Sequence, residues 1–391
     1  MNRPRLAVSL IFFVCGFIYT SWSSRLPRLQ DLLDMDNKTL GLMLLASAIG
    51  SLCSMPLTGW LTVRQGSRFA TTLSVGLFCG SLLLLSLATT TWELFAAFWV
   101  VGVCTGALDV SMNAQAVLVE KQQGRPLMST FHATFSVGMM VGALAGSLFI
   151  ELSPSLFVHF GAASLFCAIL SFWAVQQLIT DAPTPVDDQA TSSFQLPSPA
   201  LLGLGLIAFS AMLSEGAMAD WSTNYFKNVV GASEAAAPLG LTVFSGAMMT
   251  GRLLGDWARQ RLGDRFLLRY GAALGAIGLA LVLLIPLYPV SLAGLAVVGI
   301  GLSTLVPIVY SMAGHRTDYA PGVSLAMVTT VGYFGFLVGP PFIGFLADWQ
   351  GLRLALGIVV VLLIATVLVS GLSQPVRTGP SVNVPSSSKM Q

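Results

Sequence analysis

The sequence predicts an all-α membrane protein: twelve transmembrane helices arranged as two pseudo-symmetric six-helix bundles. Three observations carry this. Hydrophobic residues make up 55% of the chain and charged residues only 9%, with a mean hydropathy of +0.80, whereas a soluble domain carries roughly 25% charged residues. The apolar residues fall in unbroken runs long enough to cross hydrocarbon. Short motifs also recur at a nearly constant offset between the two halves of the chain.

A helix needs about 20 apolar residues to span the bilayer core. Twelve segments qualify: 6–23, 39–62, 70–90, 93–118, 127–150, 155–180, 199–226, 236–257, 265–286, 289–313, 322–347 and 352–372. Polar or Gly/Pro punctuation separates them, as at Arg64-Gln-Gly-Ser-Arg68 and Glu120-Lys-Gln-Gln-Gly-Arg-Pro126. A closed barrel would need alternating strands, and these runs do not alternate. Arg3 and Arg5 precede the first run, as in a signal peptide, but no A-x-A-like site follows. An uncleaved first span is therefore expected.

Lys and Arg orient the chain. With the N-terminus in the cytoplasm, that side receives Arg3, Arg5, Arg64, Arg68, Lys121, Arg125, Arg252, Arg259, Arg261, Arg265, Arg269, Arg316, Arg377 and Lys389. The other side receives Arg25, Arg28, Lys38, Lys227 and Arg353. This bias of 14 to 5 predicts an even number of spans with both termini cytoplasmic. Cys15, Cys53, Cys79, Cys104 and Cys167 are scattered in apolar runs without a C-x-x-C pair, which argues against a disulfide framework or zinc site. The net charge of +2 gives no reason to expect nucleic acid.

Residues 181–198 are rich in Pro, Ser, Thr and Asp and lack Lys and Arg. They divide the chain into a bundle over 1–180, a cytoplasmic linker over 181–198, a second bundle over 199–372 and a tail over 373–391. Ser21-Trp22-Ser23-Ser24 matches Asp220-Trp221-Ser222-Thr223 at an offset of 199, and Leu40-Gly41-Leu42 matches Leu239-Gly240-Leu241 at the same offset. Gly138-x-x-x-Gly142 matches Gly335-x-x-x-Gly339 at an offset of 197. Parallel six-helix repeats with a central cavity between them are a transporter architecture.

With these motifs in place, the chain resembles the major facilitator superfamily over nearly its whole length. That family carries G-x-x-x-D-[RK]-x-G-[RK]-[RK] between spans two and three. Here the stretch is Gly59-Trp-Leu-Thr-Val63-Arg64-Gln-Gly66-Ser67-Arg68, with Val63 where the family has an acid. Gly251-Arg252-Leu-Leu-Gly255-Asp256 is a degenerate second copy with the acid present, and Gly339-Pro340-Pro341-x-x-Gly344 opens a third shared element. Ser21-Trp22-x-x-Arg25-x-Pro27 and Glu215-Gly216-x-x-x-Asp220-Trp221 are similar to the bacterial YbjJ-like inner-membrane branch, neighbour of the fucose permease branch. The resemblance implies alternating access in a bacterial inner membrane, with Gly59, Arg64, Gly66, Arg68, Arg252, Asp256, Gly339, Pro340 and Pro341 as gating residues. Without an acid at Val63 the family's latch is incomplete. Arg64 and Arg68 then either face helix C-termini, where cations are favoured, or only anchor topology.

An ionisable residue at membrane depth is costly and is a functional candidate by default. Asp109 lies inside span four with Asn113 one turn on, so the two share a helical face. Asp109 reads as a proton-carrying or solute-binding carboxylate with Asn113 as its hydrogen-bond partner, or as a structural acid paired to a neighbouring helix. Glu215 lies in span seven. Asp220 is rotated about 140° from it, so the two make no acid–base pair on one face, and Asp220 is expected near the interface. His132 near the start of span five is a further proton candidate. His159 and His315 are weaker ones. Trp22 and Trp221 suggest a shared outer gate or an interfacial belt. With Arg25, Asn113, Asn224 and Tyr333 they make up the candidate solute contacts. The two prolines and Gly335 are expected to bend span eleven.

No Walker A, H-E-x-x-H or G-x-S-x-G pattern occurs, so neither an ATP-driven pump nor an enzyme is expected, and no cofactor. The expected function is secondary transport of a small solute, foremost proton-coupled symport of a polar, sugar-like molecule. Proton-driven efflux of an amphipathic compound is the runner-up. A non-transporting sensor or lipid-handling protein is the third. The expected partners are the solute, protons and membrane lipid, with the chain acting as a monomer.

Overall fold

The computed structural model describes residues 2–125, 127–181, 198–314 and 323–372. The described residues form fourteen helices and no strand. The chain crosses the layer through α1 (Arg3–Ser23), α3 (Asn37–Gln65), α4 (Ser67–Leu87), α5 (Thr91–Gln123), α6 (Met128–Leu152) and α7 (Leu156–Gln176). It crosses again through α8 (Pro199–Asn228), α9 (Leu239–Leu262), α10 (Asp264–Leu284), α11 (Tyr288–Leu302) continued by α12 (Leu305–Gly314), α13 (Val323–Gln350) and α14 (Leu352–Leu372). The short α2 (Leu26–Leu32) follows α1. All twelve predicted spans have a helical counterpart. The tenth is broken at Ser303 and Thr304, and the eleventh stays helical through Pro340 and Pro341. Residues 182–197, His315, Arg316 and the tail 373–391 lie outside the described residues.

We call the face holding Asn2, Gly66, Asp181 and Gly263 basal, and the face holding Arg25, Ser153 and Lys227 apical. Several helices start where the sequence supplies a cap. Asp36 accepts from Thr39 N at 2.7 Å, and Thr90 with Glu93 forms a capping box. Glu120 Oε1 accepts from the N–H groups of Leu127 and Met128, at 2.6 and 2.8 Å, at the start of α6. Eleven helices are long and apolar enough to cross a membrane. The twelfth, α9, falls short because Arg252, Asp256, Arg259 and Arg261 interrupt it.

Small residues set how closely the helices approach. A Cβ on Gly102 of α5 would stand 1.9 Å from Ser47 O of α3, and one on Gly138 of α6 would stand 2.1 Å from Phe13 O of α1. In the second half, a Cβ on Gly335 of α13 would stand 2.5 Å from Phe209 O of α8. The matched Gly138 and Gly335 thus do the same work in both repeats. Gly59 has nothing within 4 Å of its Cβ position, so it seats no neighbouring helix.

The turn glycines repeat as well. Gly66 between α3 and α4 has φ 87°, and Gly263 between α9 and α10 has φ 80°. Only glycine adopts such a conformation without strain. At the first turn Asp181 caps the start of α4. Its carboxylate accepts from Ser67 N at 2.8 Å and Arg68 N at 3.3 Å. Arg68 donates to the carbonyls of Val175 and Gln176, both at 3.3 Å, at the C-terminal end of α7, as expected of a cation there. Arg64 instead lies over the Trp60 ring, 5.2 Å from its centroid. At the second turn Arg259 makes a two-pronged ion pair with Asp264, at 2.8 and 3.0 Å, while Asp256 is exposed.

Gly102→Ala is expected to cost about 1–3 kcal/mol by forcing α3 and α5 apart. Gly76→Ala, at a position with open space, is expected to leave stability unchanged or slightly raised. Thermal unfolding of the two variants in detergent checks this, and equal melting points would contradict the packing account.

Candidate functional site

Two helix pairs, α6 with α9 and α3 with α13, carry most of the contact between the two halves of the chain. Close to the apical face the crossing is tight. A Cβ on Gly41 would meet Pro340 O at 2.9 Å, and one on Gly344 would meet Asn37 O at 2.6 Å. Ser23 Oγ donates to Ala219 O, Asn224 Nδ2 donates to Gln30 Oε1 at 2.6 Å, and Lys227 pairs with Asp31. Lys38 lies over the Phe345 ring. Among the described residues, no side-chain hydrogen bond between the halves lies basal to Ser136 and Tyr333. The apical end is therefore sealed, and the seal stops near mid-depth.

Below the seal lies a cavity of about 280 Å³ lined from both halves, at the lower end of the range for small-molecule sites. Three acids face it, each bonded in a different way. Tyr333 of α13 donates its hydroxyl to Asp109 Oδ2 at 2.7 Å, and Asn113 Nδ2 donates to Asp109 Oδ1 at 3.1 Å. Tyr19 of α1 donates to Asp220 Oδ1 of α8 at 2.7 Å. Arg252 of α9 reaches Glu215 with Nη2 at 2.9 and 3.2 Å and Ser136 of α6 with Nη1 at 2.7 Å. Two Tyr–Asp bonds therefore cross the interface in opposite senses, one with its acid in the first half and one with its acid in the second. Pro340 and Pro341 have no N–H, so the carbonyls of Phe336 and Leu337 lose their helical donors; both residues line the cavity.

The structure brings Trp22, Asp109, His132, Glu215, Asp220, Arg252, Tyr333 and Pro340 to the cavity wall. Three expectations need correction. Asp220 is not interfacial but 5% exposed and faces the cavity. Arg252, counted above among the cytoplasmic cations, sits at membrane depth with its side chain 9% exposed. Its long chain follows the interior of α9 to Glu215 rather than pointing out to water. Arg25 does not reach the cavity. It is buried where α1 meets α2, donating through Nε to His159 Nδ1 at 3.1 Å and through Nη2 to Ser153 O at 3.3 Å.

The two matched tryptophans also part company. Trp22 lines the cavity against Tyr19, with ring centroids 4.8 Å apart, while Trp221 is wholly buried away from it. Asn224 belongs to the apical seal. Gly59, Arg64, Gly66, Arg68, Asp256, Gly339 and Pro341 lie off the cavity wall. Tyr19, Tyr310 and Ser136 were missed. A hydroxyl inside an apolar run needs a partner, and that is the signal that could have found Tyr19, but its acid lies 201 residues along the chain.

Removing one partner of a buried ion pair strands the other charge. Arg252→Met is expected to cost about 3–5 kcal/mol. The double variant Glu215→Gln with Arg252→Met should recover much of that loss. Melting temperatures in detergent decide it; a double variant no more stable than the single one would contradict the pairing.

The arrangement finds its counterpart among known proteins. The family model described as Major Facilitator Superfamily matches residues 8–324 and 200–389. An uncharacterised MFS-type transporter of Yersinia pestis is 36% identical over 92% of this chain and 93% of its own. The membrane protein MosC of Rhizobium meliloti is 30% identical over 90% of this chain and 85% of its own. Among solved structures, a bacterial homologue of the human lysosomal transporter Spinster, inward-facing and occupied, aligns with a TM-score of 0.73 at 14% identity, covering 94% of this chain and 95% of that one. A variant of the nucleoside transporter NupG aligns with a TM-score of 0.75 at 13% identity, covering 95% of this chain and all of that one. The twelve crossings, their repeat and the shared mid-depth cavity are thus those of a transporter family, and the chain belongs to the Major Facilitator Superfamily.

Proposed function

We propose that this chain is a proton-coupled carrier of a small polar solute in a bacterial inner membrane, working as a monomer by alternating access. In this reading the basal face is cytoplasmic, as the Lys/Arg bias suggests, and both termini lie there. The halves 1–180 and 199–372 rock as units joined by 181–198, and the apically sealed form is the inward-facing one. The observation that carries the reading is the cavity itself. Its three acids are held by bonds that join or brace the two halves, so a change in their protonation bears on how the halves meet. Of the residues that motivate the YbjJ-like branch, Trp22, Glu215, Gly216 and Asp220 line this cavity, whereas Arg25 and Trp221 do not.

Protonation changes what a carboxyl group can do. The ionised form only accepts, whereas the protonated form can also donate. A proton on Glu215 cancels its pairing with Arg252 and frees the guanidinium for the solute or for Ser136 alone. A proton on Asp109 or Asp220 removes the charge that the tyrosine hydroxyl now solvates. Coupling follows when solute affinity differs between the protonated and ionised states, and linkage makes the effect reciprocal. Hydroxyls of Ser47, Ser51, Thr105 and Tyr310, with the Trp22 ring, give a polyhydroxylated solute its contacts. The second reading, proton-driven efflux of an amphipathic compound, has its own support: Met55, Met112, Met139 and Met212 line the same space, and methionine adapts to varied apolar shapes.

Two experiments test this. Ala48→Cys, in a background without the native cysteines, is expected to react with a membrane-impermeant maleimide from the cytoplasmic side. Adding Tyr19→Phe and Lys227→Ala should raise labelling from the outside severalfold. Labelling confined to one side in every variant would sink alternating access. In proteoliposomes, Asp109→Asn should abolish solute accumulation driven by a pH gradient yet spare solute exchange. Accumulation that ignores both the gradient and this substitution would remove proton coupling.

A further inference from the structure

The cavity wall carries more acids than cations. Asp109, Glu215 and Asp220 face it, and among the described lining residues Arg252 is the only Lys or Arg. Arg252 is committed to Glu215. The two remaining acids are not equivalent. Both oxygens of Asp109 have donors, from Tyr333 and Asn113. Asp220 receives a single bond, from Tyr19 to Oδ1. Its Oδ2 has no donor among the described residues, although the side chain is only 5% exposed and faces the cavity. A carboxylate at this depth with one neutral partner is half satisfied, and burying a charge is costly unless it is paired.

The surroundings of Asp220 specify what completes it. The Tyr19 ring tilts against that of Trp22 at 59° with centroids 4.8 Å apart. Trp22 is braced in turn edge-on by Phe98 at 5.4 Å. An anion beside a rigid pair of electron-rich rings is a cation receptor: the carboxylate supplies charge, and the ring faces attract the ammonium and its attached carbons. Arg252, which would repel a cation, anchors about 7.5 Å away along α8, at Glu215, five residues earlier at 1.5 Å per residue. We propose that the transported solute bears an ammonium group, and that Asp220 with the Tyr19 and Trp22 rings is its seat. A neutral polyol can donate a hydroxyl to Oδ2 but leaves the charge of an ionised Asp220 uncompensated, whereas an ammonium both donates to it and cancels the charge. The proposal rests on the carrier reading of the same cavity and narrows its solute from polar molecules in general to polar cations.

The test uses the purified full-length protein in detergent and solute pairs of nearly equal shape that differ in charge: glucosamine and glucose, phenethylamine and 2-phenylethanol, choline and 3,3-dimethylbutan-1-ol. Binding is read as the ligand-dependent rise in melting temperature. At least one ammonium member should bind where its neutral twin does not. Asp220→Asn, which keeps the shape and the acceptor for Tyr19, should weaken that binding by roughly tenfold or more, the scale of a charge-assisted hydrogen bond. Gly76→Ala, away from the cavity, should leave it within about threefold. If Asp220→Asn does not fold, Trp22→Leu replaces it and should weaken the ammonium member severalfold more than any binding of its neutral twin. Twins that bind equally, ammonium binding that survives both substitutions, or a panel in which no ammonium member binds would each overturn the proposal. Cysteine labelling at position 48 needs no solute and keeps the two readings apart. Two-sided access without ammonium binding retires the solute class alone, and ammonium binding with one-sided access retires the carrier alone.

Discussion

Hydrocarbon offers no partner to a polar atom, and much of this structure follows from that. Each backbone group inside the layer has to be satisfied within its own helix, which dictates the twelve crossings. Each polar side chain at depth has to find its partner in protein or in an enclosed cavity. Asp109, Asp220 and Arg252 find theirs partly across the divide, in Tyr333, Tyr19 and Ser136. The bonds that make these residues tolerable in a membrane are therefore also bonds between the two halves. Moving one half relative to the other would have to break them.

Glycine supplies the complementary constraint. Within each half, Gly102, Gly138 and Gly335 let backbones meet at distances where any Cβ would collide, so each bundle is rigid by contact. Between the halves the close approach of Gly41 and Gly344 is confined to the apical end. Tightly packed bundles that meet closely at one end are compatible with the rocking proposed above. Asp181 completes the first bundle at the basal face: it closes the α3–α4 turn from beyond the end of α7, where the local sequence offers only Val63.

Much of this was legible in the chain. Run length marked eleven crossings, because hydrophobic length is set by the thickness of the layer, and the repeat and the even span count support α9, whose apolar run is interrupted by charges. The Asp109–Asn113 pair followed from helical spacing, and the Gly138/Gly335 correspondence from the repeat. What sequence could not convey was which way a residue faces once two bundles meet. Trp22 and Trp221 sit in the same motif, yet one lines a cavity and the other is core, since the repeat fixes a helix position and the neighbours differ. Arg25 stands among plausible cavity residues but turns into its own bundle toward His159. Arg252 was read as a topological marker because a charge near a helix end is usually one, and only its partner, 37 residues earlier, reveals its depth. Tyr19 escaped notice for a similar reason.

The charged character of α9 has a consequence for how the protein is made. An arginine near the centre of an isolated helix opposes insertion by about 2.5–3.5 kcal/mol on translocon scales, and α9 also carries Asp256, Arg259 and Arg261. Such a segment is a poor candidate to leave the insertion machinery for lipid alone. Helix α8, with Glu215 on board, emerges from the ribosome first, and the strongly apolar α10 follows. The counter-ion of Arg252 is therefore made before it. The ion pair that organises the cavity also offsets the charge that α9 carries into the layer.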